Sequence, residues 1–219
     1  MPRLVLILLL SIFFADFNYA AVGVSVGGRA GLDISQLRKY TAPAGYKKQA
    51  TLGSDLAAVL RIDFNKYVAL QTEIEFIQKG QSYKNRIDSA KFVAKSVLNY
   101  VQFPILVVGR VGNDKVKGSF AFGPYFAYWA GGYAQSAISV DKQTRTSTTT
   151  THTFTAQDMR FDAGIITGAG VEVKAGKGWV QIGVRHNLGL VGVNKNTPSI
   201  PKMYNSNFTL SLGYLYTIK

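Results

Sequence analysis

The chain contains no cysteine. That excludes disulfide staples, thiolate nucleophiles, cysteine-held metals and a lipid anchor on cysteine. Histidine is almost as scarce, with only His152 and His186. A structural zinc site has too few ligands, and neither a metal nor a cofactor is expected. Glycines sit in alternating stretches and turns, without the strand–turn–helix setting of a phosphate-cradling loop. Carboxylates are few: 12 against 25 lysines and arginines, for a formal net charge of +13. Such an excess asks for an anionic partner. The basic residues do not gather on a helix or in a nucleic-acid module, so nucleic acid is not that partner. After the N-terminal run, no stretch approaches the roughly 18 consecutive apolar residues that mark a membrane-spanning helix.

That N-terminal run reads as a secretory signal over residues 1–20. Arg3 supplies the early charge, Leu4 to Ala15 the apolar stretch, and Ala20 and Ala21 the small residues at the cut. The apolar stretch is too short to cross a bilayer as a helix. Residues 21–219 then form a single domain.

What the domain has in quantity is alternation. From Phe208 to Lys219, Phe208, Leu210, Leu212, Tyr214, Tyr216 and Ile218 share one parity. Thr209, Ser211, Gly213, Thr217 and Lys219 share the other, with Leu215 the one misfit. A period of two puts these sets on opposite faces of a strand. The same pattern, punctuated by turn residues, predicts eight strands. They lie near Val22–Asp33, Gly53–Phe64, Tyr67–Gly80, Ser96–Val111, Ser119–Tyr133, Arg160–Val173, Trp179–Val191 and Asn207–Lys219. Their connections alternate without exception between long and short. Ile34–Leu52, Gln81–Lys95, Ala134–Gln157 and Gly192–Ser206 are long; Asn65-Lys66, Gly112–Gly118 and Lys174–Gly178 are short.

A soluble, lipocalin-like barrel has little use for that asymmetry. An outer-membrane barrel has: short turns face the periplasm, long loops face outward, and an even strand number leaves both termini in the periplasm. The reading is therefore all-β: an eight-stranded antiparallel up-and-down transmembrane β-barrel. Aromatics are expected in two girdles. Phe64, Tyr67, Phe120, Trp179, Tyr214 and Tyr216 fall near the periplasmic rim, although strict parity turns Tyr67 and Trp179 inward. Phe76, Tyr128, Trp129, Phe161 and Phe208 fall near the outer rim.

Parity also sorts the charges. Arg29, Arg61, Glu73, Glu75, Asp162, Glu172 and Arg185 all lie opposite the apolar set. A charge facing lipid at mid-depth costs about 2–4 kcal/mol, so these seven are expected inside, as a polar network filling a narrow barrel. Arg29, Glu73 and Arg185 come out at similar height and are expected to pair. Gly164, Gly168 and Gly170 would make room for long side chains from across the barrel. The functional alternatives for this set are an ion or proton path and a catalytic carboxylate pair. Pro104 and Pro124 cannot donate to a ladder, so a bulge or broken ladder is expected where the fourth and fifth strands meet.

Several segments in this order carry a resemblance: Val26-Gly-Gly-Arg-Ala-Gly-Leu-Asp-Ile34, Leu70-Gln-Thr-Glu-Ile-Glu-Phe-Ile-Gln-Lys-Gly80, Tyr100-Val-Gln-Phe-Pro-Ile-Leu106, Phe122-Gly-Pro-Tyr125, Phe161-Asp-Ala-Gly164 and Gly168-Ala-Gly170. Together they resemble the PorT-like outer-membrane β-barrel family of Bacteroidota, over essentially the whole mature chain. The resemblance implies an eight-stranded barrel in the outer membrane. It implies little about activity, the namesake being linked to secretion and gliding rather than to catalysis.

The remaining functional signal lies in the loops. The first carries Arg38, Lys39, Lys47 and Lys48 with Tyr40 and Tyr46; the second carries Lys84, Arg86, Lys91 and Lys95. At the outer surface these basic residues meet anionic lipopolysaccharide or recognise another anionic ligand. Asp88-Ser89-Ala90 in the second loop resembles a short O-glycosylation motif. The third loop, rich in threonine from Thr144 to Thr155, either extends a hairpin as an exposed sheet edge or stays solvated. His186 has outward parity, where an acyl-chain hydrolase could use it, but no serine on neighbouring strands pairs with it in this reading. The chain is thus expected to be a non-enzymatic, monomeric outer-membrane barrel with a structural, accessory or surface-binding role, in secretion or envelope assembly. Its partners are outer-membrane lipid, lipopolysaccharide and a protein met through the extracellular loops. A small channel and a lipid-modifying enzyme are the alternatives.

Overall fold

The computed structural model describes residues 23–39, 42, 44–87, 90–140, 143–195, 197 and 201–218. The expected signal, Tyr40, Asp88 and Ser89 lie outside the described residues. Among these, the regular elements are all strands: β1 (Gly23–Arg38), β2 (Lys47–Gln49), β3 (Thr51–Asp63), β4 (Val68–Ile87), β5 (Ala90–Gly112), β6 (Val116–Val140), β7 (Gln143–Thr151), β8 (Phe161–Ala175), β9 (Gly178–Gly192) and β10 (Tyr204–Thr217). Eight of them form a closed antiparallel ring in the order β1-β3-β4-β5-β6-β8-β9-β10. The seam is the pairing of β10 with β1, from Ser25↔Thr217 to Arg38↔Tyr204. Closure leaves the ring no free edge. β2 and β7 stand outside it, on β4 and β6 respectively.

The alternation seen in β10 recurs around the wall. Leu56, Ile74, Phe122, Ile182 and Leu210 are each half or more exposed, while Glu73, Gln102, Asp162 and Thr209 are buried. An apolar outside and a polar inside invert a soluble protein and suit a hydrocarbon surrounding. Leu215, the misfit of β10, is fully buried and pairs with Trp179, itself buried. Trp179 is therefore no girdle residue. It faces inward at the short-turn end, with Lys117 Nζ 4.5 Å and Lys174 Nζ 5.1 Å from its ring centroid. Trp129 also departs from the expected outer girdle, because odd-numbered side chains of β6 up to this point turn inward. Tyr67 precedes β4 and is exposed.

The short turns form where their residues dictate. Asn65 Oδ1 accepts the backbone N–H of Tyr67 and Val68, both at 2.8 Å. Asn113 Oδ1 does the same for Lys115 and Val116 at 2.9 and 2.8 Å. Each carbonyl mimics a turn of backbone. In the third short turn Gly176 adopts φ +56°, which glycine tolerates without cost.

At the long-loop end the strands run further than alternation predicts. The expected second loop is a hairpin, with β4 and β5 paired up to Ile87↔Ala90. β5 continues to pair with β6 up to Ala90↔Val140, and β6 with β7 from Tyr133↔Thr151 to Val140↔Gln143. With β2 on the other side, five strands (β2-β4-β5-β6-β7) extend the wall as an open blade. The third loop is thus the sheet-edge alternative in its first half. Its second half folds back over the barrel.

Near the prolines the ladders break without changing register. β4–β5 pairing is interrupted between Thr72↔Ile105 and Glu75↔Gln102, and β5–β6 pairing between Pro104↔Tyr125 and Val107↔Phe122. The β5–β6 ladder shifts register elsewhere, between Asn99 and Tyr100.

Candidate functional site

The barrel interior holds stacked polar layers. At mid-height Arg29 donates to Asp55, Glu73 and Glu75 at 2.8, 2.8 and 2.9 Å. Arg185 holds Glu73 in a two-pronged pair at 2.9 and 2.7 Å. Glu73 therefore sits between two guanidinium groups, and Gln71 Nε2 donates a further bond to it at 2.6 Å. Towards the short turns, Arg61 and Gln181 each donate to Glu172 at 2.7 Å, while Arg110 lies 2.7 Å from Asp63. Towards the long loops, Asp162 receives Asn205 at 2.8 Å, Tyr125 at 3.3 Å and Lys79 at 3.4 Å. Lys79 and Glu75 are joined through Gln102, which accepts from the first at 2.8 Å and donates to the second at 2.7 Å.

The seven interior charges named from sequence thus fall into three layers. Arg29, Glu73, Glu75 and Arg185 share one, Arg61 and Glu172 another, and Asp162 the third. Sequence reasoning passed over Asp33, Asp55, Lys79 and Arg110, all buried. Their signal was parity: Asp33 shares that of Arg29, Lys79 that of Glu73 and Glu75, and Asp55 that of Arg61. Asp33 and Lys79 sit at ends of the expected strands, where the pattern is weakest.

The glycines serve neighbours rather than side chains from across the barrel. A Cβ on Gly164 would lie 2.7 Å from the ring of Tyr125, and one on Gly168 2.9 Å from Cγ of Arg185. Both partners stand directly opposite on the adjacent strand. A small cavity of about 50 Å³, lined in part by Arg29, Gln71, Glu172 and Arg185, lies between the middle and lower layers. Among the described residues no three His, Asp or Glu side chains converge as metal ligands.

The long-loop mouth is covered. Trp129 stacks on Tyr100 (centroids 6.2 Å) and on His152 (4.7 Å), and meets Phe154 edge-on at 5.0 Å. Asp158 holds this return in place, accepting from Thr155 N at 2.7 Å and lying 3.2 Å from His152 Nε2. It also bridges to Asn194 of the last long connection.

Apart from Lys39, just past β1, the basic residues of the expected loops occupy strands instead. Arg38 ends β1 and donates to Gly189 O at 2.5 Å. Lys39 lies 5.3 Å from the Tyr204 ring. Lys47 and Lys48 are in β2, the latter bonded to Leu37 O. Lys84 and Arg86 belong to β4, Lys91 and Lys95 to β5.

On the outer wall, His186 stacks on Phe208 at 4.4 Å. A serine does pair with it: Ser206 Oγ lies 3.2 Å from His186 Nε2. Alternation alone hides this pair because it leaves Ser206 in a loop, whereas β10 begins at Tyr204. The described contacts show no third group orienting the imidazole, so the pair lacks the base–orienter arrangement of an activated nucleophile.

No curated protein matches the chain. Among solved structures it is similar to the outer membrane protein OprG from Pseudomonas aeruginosa, with 12% identity, 90% of this chain and 96% of that chain covered, and a TM-score of 0.47. It is similar to Neisserial surface protein A at 12% identity, 88% and 96% coverage and a TM-score of 0.45. It is similar to the attachment invasion locus protein Ail of Yersinia pestis at 13% identity, 90% and 100% coverage and a TM-score of 0.41. The family model described as outer membrane protein beta-barrel domain matches residues 14–194. With that match over most of a chain that closes eight alternating strands around a polar core, the protein belongs to the outer membrane protein β-barrel domain family.

Proposed function

We propose that this barrel is a closed, non-enzymatic scaffold that holds its long-loop blade outside the cell for binding. The observation that carries the reading is the filled interior. Three hydrogen-bonded charge layers lie in series between the Trp179–Leu215 floor and the Trp129–His152–Phe154 cover. A route for hydrated ions would have to break each layer, and unpairing a buried charge is costly. With the channel closed and no activated nucleophile built, the wall extension is the part left to act. The orientation, with short turns and both termini in the periplasm after signal removal, follows the general rule for such barrels. The segments that resemble the PorT-like branch support a place in secretion or envelope assembly.

Planar-bilayer recording tests the closed scaffold. Purified barrel should show no steady openings, and Trp129→Ala should show none either, because the ionic layers below the mouth remain. Steady unitary conductance in the wild type would replace this reading with a small channel. The His186–Ser206 pair on the outer wall makes a lipid acyl hydrolase the second alternative. Incubation with acyl-labelled phospholipid should release no labelled fatty acid. Release that His186→Ala abolishes would establish the enzyme instead.

A further inference from the structure

The blade separates its charges by face. Directly opposed residues of an antiparallel pair share a face. Lys47 opposes Lys84, and Arg86 opposes Lys91. Lys95, opposite Ser82, lies on the same side and donates to Leu52 O at 3.0 Å. Leu52 is itself 64% exposed on the outer wall. These five cations therefore continue the apolar outer surface upward. The other face carries Phe92 opposite Ile138, so the charges do not merely solvate a polar hairpin. Lys48 is on that other face, tied to Leu37 O.

Like charges set directly across a ladder repel. No carboxylate occurs in the blade segments 47–49, 80–87, 90–97 and 132–140. None of the five cations forms an ion pair with a described residue. A sheet that places cations opposite one another, on the face that continues its lipid-contacting wall, is completed by an anion.

From this geometry we infer a binding site, formed by Lys47, Lys84, Arg86, Lys91 and Lys95, for the phosphate groups of outer-leaflet glycolipid headgroups. The occupant follows from position. The face looks sideways, in line with the lipid-contacting wall, at the height where acyl chains give way to phosphorylated sugars. A charge-assisted phosphate contact there satisfies the opposed pairs without bending the blade. The inference rests on the proposed orientation, with the long-loop end outside. It does not depend on whether the barrel conducts.

The test uses the full chain, folded and reconstituted in nanodiscs of phosphatidylcholine alone or with lipopolysaccharide. The unfolding temperature is read by loss of compact gel mobility. Lipopolysaccharide should raise it by at least about 5 °C in the wild type. The triple variant K84Q/R86Q/K91Q should lose most of that rise, yet unfold in phosphatidylcholine at the wild-type temperature or above, since repulsion has been removed. Should the triple variant not fold, K47Q/K95Q should lose part of the same rise. Dephosphorylated lipopolysaccharide should leave the wild type unchanged. A full rise retained by whichever variant folds, or an equal rise from dephosphorylated lipopolysaccharide, would overturn the site. So would an equal rise from soluble inorganic polyphosphate with phosphatidylcholine nanodiscs, which would make the ligand a free polyanion. Because the chain has no cysteine, Lys91→Cys offers one labelling position. A membrane-impermeant maleimide should reach it on intact cells. Labelling only in broken cells would refute the orientation, independently of the lipid result.

Discussion

Glu73 shows how a single interior side chain carries several strands. It binds Arg29 of β1 and Arg185 of β9, while Arg29 also reaches Asp55 of β3 and Glu75 of β4. Removing the charge of Glu73 leaves two buried guanidinium groups sharing fewer carboxylates. Glu73→Gln should destabilise the folded barrel by about 3–5 kcal/mol, the scale for breaking a buried pair from one side. Urea unfolding in lipid, followed by tryptophan emission, measures it; a loss below about 1 kcal/mol would mean that the layer is well hydrated and Glu73 replaceable.

Along β10 the two faces are held to different rules. Leu210 is 56% exposed on the apolar side, beside Leu32 and Val184, while its neighbour Ser211 is buried on the polar side. Leu210→Arg should cost about 2–4 kcal/mol in a lipid bilayer, measured by the same unfolding. An equal effect in the absence of an apolar phase would point to packing rather than to lipid contact. The blade strands obey a further rule. β7 is an exposed, uncharged edge from Thr146 to Thr151, whereas β2 is short and carries two lysines that blunt its edge.

At the level of the molecule, acid is concentrated in the interior. Asp33, Asp55, Asp63, Glu73, Glu75, Asp162 and Glu172 lie within the barrel, against five interior cations, Arg29, Arg61, Lys79, Arg110 and Arg185. Seven of the 12 carboxylates are thereby withdrawn, together with five of the 25 cations. The filled barrel is close to charge-balanced, so the excess of basic residues in the sequence falls almost entirely on the rest of the chain. A barrel closed by eight ladders and a bonded core should remain compact in cold detergent and migrate differently after boiling. Identical mobility of boiled and unboiled outer-membrane fractions would contradict the closed ring.

The eight-strand count, the two faces and the interior set were legible in the sequence, because period two fixes which side each residue takes whatever its partners are. So were the short turns, whose asparagines act on their own backbone. What only the tertiary structure decided depends on neighbours distant in sequence. Leu215 meets Trp179 inside only through the register of β10 against β9, and Trp129 covers the mouth because His152 and Phe154 return to it. The second long connection is strand because β6 and β2 flank it and supply ladder partners that local propensity does not reveal. Ser206 meets His186 only through the register of β9 against β10. Alternation assigns a residue to a face; register, which needs the partner strand, decides what it touches there.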